Sequence, residues 1–262
     1  MSRRPARAFR APVLAALVAL SGCATLAGTN YYSVDEEWQL GQQLEAQLGQ
    51  ELRLANDPLV TGYVREMGQR MVRAAGVDNL PWRFYVVRDD AVNAFNVPGG
   101  LVYVNTGLIE SVGSAGELAG AIAHEVAHGV ERHGTERLSK ANETNAVAGV
   151  VLGRNPGAVT QIATQIAAQG AFASFSRADE READAVGVRL MAEAGYDPEG
   201  LAQLLERLAA EERGGGIALL RSHPLSSERM QTVRQLARPY TGRDLRLNDG
   251  RFDGVRRRAA QL

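Results

Sequence analysis

Residues 121–134 read AIAHEVAHGVERHG, and no other stretch restricts the possible folds as tightly. A helix turns about 100° per residue, so His124 and His128 stand one above the other on a single face and can share one metal ion. Glu125 lies beside that stripe, within reach of a water held by the metal and not itself a ligand. Metal-dependent peptide hydrolysis needs this arrangement. The spacing predicts a helix from Ser114 to Gly134, with Gly134 as its C-cap. Two imidazoles alone are too few for zinc, so the chain must supply a third ligand from elsewhere.

The segment SRADEREAD supplies it. Glu180 and Asp184 share a helical face with Ala183, Gly187, Val188 and Met191, which are apolar or small and point inward. Glu182 lies about 200° from Glu180, beside Arg189 and Glu193, and is expected in solvent. Glu180 is thus placed to reach the metal, and Asp184 to accept a hydrogen bond from the free ring nitrogen of a ligating histidine. Ala183 and Gly187 leave room for the two helices to approach. Two histidines and a carboxylate favour zinc, one ion per chain.

Around these motifs the pattern is that of an α+β domain, mostly helical. Ser33 caps a helix with acids in its first turn, and Asp57-Pro58 starts a second. Trp82 to Val87 alternates as a strand, Pro98-Gly99-Gly100 turns the chain, and Leu101 to Val104 form a further β-rich run. A small antiparallel sheet is therefore expected immediately before the histidine helix. The alanine-rich stretch from Ser139 to Phe175 suits either a helical hairpin on the core or a lid over the cleft. Helices follow over the SRADEREAD segment to about Gly195, and over PEGLAQLLERLAAEE.

The N-terminus divides from the rest. Arg3, Arg4, Arg7 and Arg10 precede an apolar run from Ala11 to Leu20, too short to span a bilayer and organised like a secretory signal. Leu20-Ser21-Gly22-Cys23 resembles a bacterial lipoprotein signal, with Cys23 as the lipidated residue. The expected organisation is a signal at 1–22, a lipidated tether at 23–32 and a metallopeptidase domain at 33–262. Loss of the signal removes four arginines and no acids, taking the formal net charge from −1 to −5. No basic stripe is left to hold nucleic acid, and the single cysteine cannot form an internal disulfide. Ala24 follows the lipidated position, and resemblance to enterobacterial lipoprotein sorting implies the inner leaflet of the outer membrane, facing the periplasm.

NAFNVPGG, HEVAH, SRADEREAD and SHPLSSER occur in this order between about residues 35 and 240. Together they resemble the HtpX-type, CAAX-prenyl-endopeptidase-type and BepA-type zinc metallopeptidases, which belong to the gluzincins. The resemblance is greatest to compact lipoprotein members. It implies a gluzincin domain with His124, His128 and Glu180 as zinc ligands and Glu125 as catalytic base. His133 does not fit the third-ligand position of metzincins, since it stands five residues after His128 with Glu131 between, and is expected to compensate the helix C-terminus. His223, followed by Pro224 and then Arg229, is open to three readings: stabilising the oxyanion, filling the open coordination position at rest, or capping the next helix. Leu101, Val102, Tyr103 and Val104 are read as an exposed edge on which an extended substrate adds as a strand. Unfolded or misassembled envelope proteins are the implied substrates. A lipoprotein chaperone with gated proteolysis is the alternative, and cleavage of cell-wall peptides a third.

Overall fold

The computed structural model describes residues 30–262 except 79, 144–155, 171, 173, 213–216 and 247. The lipoprotein-like segment and Cys23 lie outside the described residues. Ser33 closes a capping box with Glu36 and starts helix α1, Val34–Glu51, and Asp57 caps α2, Pro58–Ala74, whose first residue is the proline. Each helix buries one stripe. Leu40, Leu44 and Leu48 of α1 enter a smaller apolar cluster, whereas Val60, Tyr63, Val64, Met67 and Met71 of α2 enter the main core.

Three strands follow: β1, Arg83–Val87, β2, Ala94–Val97, and β3, Leu101–Asn105. They form one sheet in the order β1-β3-β2. β2 and β3 pair antiparallel across the turn at Gly99 and Gly100, which take φ of 87° and 74°, the left-handed pair that a tight hairpin demands. β1 pairs parallel to β3, with Arg83 opposite Leu101. The expected all-antiparallel sheet is thus corrected to a mixed one. β2 occupies the hairpin position, which leaves β1 to dock on the far side of β3.

Helix α3, Thr106–Ser111, leads to α4, Ala115–Val130, which Ser114 caps. α4 ends one turn earlier than expected, with Glu131 at its C-cap. Arg132 then adopts φ of 59°, and α5, His133–Glu143, begins at once, so Gly134 lies within the next helix. α6, Pro156–Gln169, packs Val159, Ala163 and Ile166 beside the apolar stripe of α1, so this part of the 139–175 stretch belongs to the packed body. The remaining helices are α7, Arg177–Glu193, α8, Glu199–Glu212, α9, Ala218–Ser222, α10, Ser227–Ala237, and α11, Phe252–Ala259. Among the described residues, no helix is long and apolar enough to cross a membrane.

α4 is the axis of the domain: every residue from Ala115 to His128 is buried. Small residues let α7 and α8 close on it. A Cβ at Gly200 would stand 2.3 Å from the carbonyl oxygen of Gly116, inside any allowed contact. Gly200→Ala is therefore expected to cost about 1–3 kcal/mol by forcing α8 off α4. Thermal unfolding followed by circular dichroism checks this, and an unchanged midpoint would show that the helices part without strain.

Candidate metal centre

α4 and α7 bring the predicted ligands together. His124, His128, Glu180 and His223 each offer one ligand atom, and these atoms lie within 4.8 Å of one another in a buried pocket. The Nε2 atoms of His124 and His128 are 3.1 Å apart. Oε1 of Glu180 lies 3.4 Å from Nε2 of His128, and its Oε2 lies 3.5 Å from Nε2 of His124. Ligands at zinc-like bond lengths of about 2.0–2.1 Å form a tetrahedron with edges of about 3.3 Å, so these spacings fit a single ion. Nδ1 of His223 stands 2.9 Å from Glu180 Oε1 and 3.2 Å from His124 Nε2, at a fourth corner.

The ligands are oriented from behind. Oδ1 of Asp184 lies 3.1 Å from Nδ1 of His124, as the helical spacing anticipates. Arg229 on α10 donates from Nε and Nη2 to Asp184, both at 2.8 Å, and its Nη1 pairs with Glu180 Oε2 at 2.6 Å. Oε1 of Glu180 thus faces His128 and His223, while Oε2 lies between His124 and the guanidinium. Glu125 is buried, and its Oε2 has no hydrogen-bond partner among the described residues.

The electrostatics call for a cation. Glu125, Glu180 and Asp184 place three carboxylates around one guanidinium, and burial of that excess is costly without a further positive charge. Burial disfavours the imidazolium of His124, yet Asp184 and Glu180 outweigh it and raise its pKa to about 10. Burial lowers His128 well below the ordinary histidine value. Burial pushes Glu125 up, partly opposed by His223 and His124. Burial also acts to raise Glu180, but the three imidazoles hold it far below the usual carboxylate range. A divalent ion with Arg229 would balance the three carboxylates.

Residues 58–237 match peptidase family M48, a span that contains every side chain of the cluster. The chain belongs to this family. Relatives of the M48 domain include the beta-barrel assembly-enhancing protease of Yersinia pestis, 30% identical over 216 residues, covering 78% of this chain and 44% of the relative. The putative beta-barrel assembly-enhancing protease of Vibrio cholerae is 31% identical over 234 residues, covering 85% and 48%. The mitochondrial metalloendopeptidase OMA1 of Schizosaccharomyces pombe is 31% identical over 214 residues, covering 79% and 62%. The chain spans about half the length of the bacterial relatives it matches.

Two expectations about the M48 domain are corrected. Leu101, Val102, Tyr103 and Val104 do not form an edge: β3 is the central strand, buried and paired on both sides. The outer strands are β1 and β2. His133 does not compensate the end of α4, because it opens α5 and turns its ring back so that its Nδ1 lies 2.8 Å from Nδ1 of His128. Glu182 is exposed as expected, at 57% of its side chain. Sequence reasoning also passed over Phe175, whose ring stacks on His128 with centroids 4.0 Å apart. Its only local signal is an aromatic residue next to the Ser176 cap of α7.

Proposed function

We propose that this M48 domain is a zinc-dependent endopeptidase of the cell envelope that cleaves unfolded or misassembled envelope proteins. One observation carries the reading: a buried Glu125, one oxygen of which has no hydrogen-bond partner among the described residues, stands beside the convergent His124, His128 and Glu180. Zinc, when bound, supplies Lewis acidity that activates water and polarises a carbonyl. Oε2 of Glu125, which has no hydrogen-bond partner among the described residues, is placed to accept the proton of the attacking water. Burial raises the proton affinity of that carboxylate, so it can hold the proton and pass it to the leaving amine. Asp184 fixes the ring of His124, and Arg229 holds Glu180 and Asp184 in register.

An extended substrate would add along β2, an outer strand of the sheet that packs on α4, and main-chain pairing places few demands on side chains. The lipoprotein-like signal ending at Cys23 would anchor the chain to the outer membrane, facing the periplasm. The names of the bacterial relatives, which refer to beta-barrel assembly, favour outer-membrane proteins as substrates. Zinc analysis and casein cleavage by the full chain test the enzyme reading. About one zinc per chain, with activity lost on phenanthroline treatment and restored by zinc, is expected; cleavage that survives complete removal of metal would overturn it.

A specific closure favours gated activity. His223 fills the fourth corner of the cluster, and its Nε2 lies 3.4 Å from Glu125 Oε1. The cavity shared by His124, Glu125 and His223 measures about 20 Å³, room for little more than a water molecule. His223 therefore has to swing away before a peptide enters. His223→Ala is expected to raise casein cleavage several-fold with unchanged zinc content. A loss of about tenfold or more in a folded variant would instead give His223 an oxyanion-stabilising role.

A further inference from the structure

We propose that His133 is a positioning residue for the metal centre, and that the left-handed turn at Arg132 exists to deliver it. The inference rests on the metal-site reading above. When His128 binds through Nε2, its remaining ring proton sits on Nδ1 and needs an acceptor inside the protein. Nδ1 of His133 lies 2.8 Å from that atom, and both rings are buried. Accepting there places the proton of His133 on Nε2, which faces Oε2 of Glu182 across 3.5 Å at the protein surface. Phe175 stacks on the face of the same His128 ring, so ring plane and ring rotation are fixed by different neighbours.

The backbone shows that this contact is built. His133 is only five residues beyond His128, and a helix continued through it would carry its ring about 140° around the axis. The break at Arg132 redirects it. Arg132 is the only non-glycine residue with positive φ among the described residues, a conformation unfavourable for a residue with a Cβ that persists only where the surroundings impose it. They do so here: Nε of Arg132 pairs with Glu37 Oε2 at 2.6 Å, and Nη2 donates to the carbonyl oxygens of Tyr32 and Ser33 at 2.6 and 3.1 Å. Thr135 adds a hydrogen bond to the same Glu37 oxygen at 3.1 Å. The start of α1 thereby fixes the turn that aims His133 at a metal ligand.

Zinc affinity of the full chain, measured by competition with a chromophoric chelator, tests this with His133→Asn, His133→Gln, His133→Leu and His128→Ala. The asparagine oxygen can occupy the place of Nδ1, whereas the glutamine amide reaches past it and leucine offers no acceptor. Affinity should fall about 10–100-fold in the glutamine and leucine variants and recover in the asparagine variant. The visible spectrum of the cobalt-substituted protein should shift in the same order, a response that loss of packing alone would not produce. If all three His133 variants bind zinc like the wild type, or all three weaken equally, the positioning role is refuted. If His128→Ala keeps wild-type affinity, the metal-site reading itself fails and this inference falls with it.

Discussion

Replacing Glu125 with glutamine is expected to abolish peptide hydrolysis while leaving the metal in place. The two side chains have the same shape. An amide cannot take up the proton of water, and loss of general-base catalysis lowers turnover by about 10²–10⁴-fold. Zinc content should stay at about one per chain, because Glu125 is not among the ligands. Stability sharpens the test. Burial raises the Glu125 pKa in the folded state, so the stabilisation it offers is present in acid and is lost as pH rises through that value. In metal-stripped protein the glutamine variant should therefore gain on the wild type as pH goes from acid to neutral. A variant that still cleaves casein at the wild-type rate would remove Glu125 from the chemistry. A variant that loses zinc would make it a ligand.

Arg229→Met is expected to be the most destabilising single change at the site. The guanidinium holds Asp184 by two hydrogen bonds of 2.8 Å, pairs with Glu180 at 2.6 Å and reaches the carbonyl oxygen of Pro224 at 3.1 Å. Methionine fills much of the volume and strands two buried carboxylates. Breaking a buried ion network by deleting one partner costs about 3–5 kcal/mol, and each kcal/mol lowers the midpoint by about 2–4 °C in a domain of this size. The deficit should be larger without zinc, since the ion supplies part of the missing charge. Adding Asp184→Asn to the methionine variant should restore part of the loss in metal-stripped protein, because the two sites share one network. Calorimetry that places Arg229→Met within a degree of the wild type would show the carboxylates to be neutralised in some other way.

The clustering of the proposed metal ligands was legible because their geometry is local. Four-residue spacing on a helix fixes His124 over His128, and it sets Glu180 above Asp184 on a face of small residues, whatever the rest of the chain does. Capping residues were legible for the same reason, as Ser33, Asp57 and Ser114 show. Strand order was not. Whether β3 pairs on one side or two depends on where β1 returns after thirteen intervening residues, and nothing in Leu101 to Val104 reports it. His133 was misplaced because its position depends on the backbone of Arg132, and an arginine carries no mark of a left-handed turn. Arg229 was visible within SHPLSSER, but its role appears only when α10 meets α7.

The burial of α4 has a kinetic side. A helix enclosed from Ala115 to His128 exposes its amides to solvent only when the whole domain opens, so hydrogen exchange there should run at the rate of global unfolding. His223 sits instead at the end of the five-residue α9, whose few hydrogen bonds can open locally and far more often. The centre is therefore divided between a slow wall and a fast one. If the centre is gated as proposed, His124, Glu125 and His128 keep their places in the buried α4 while α9, which carries His223, is the element that yields to substrate.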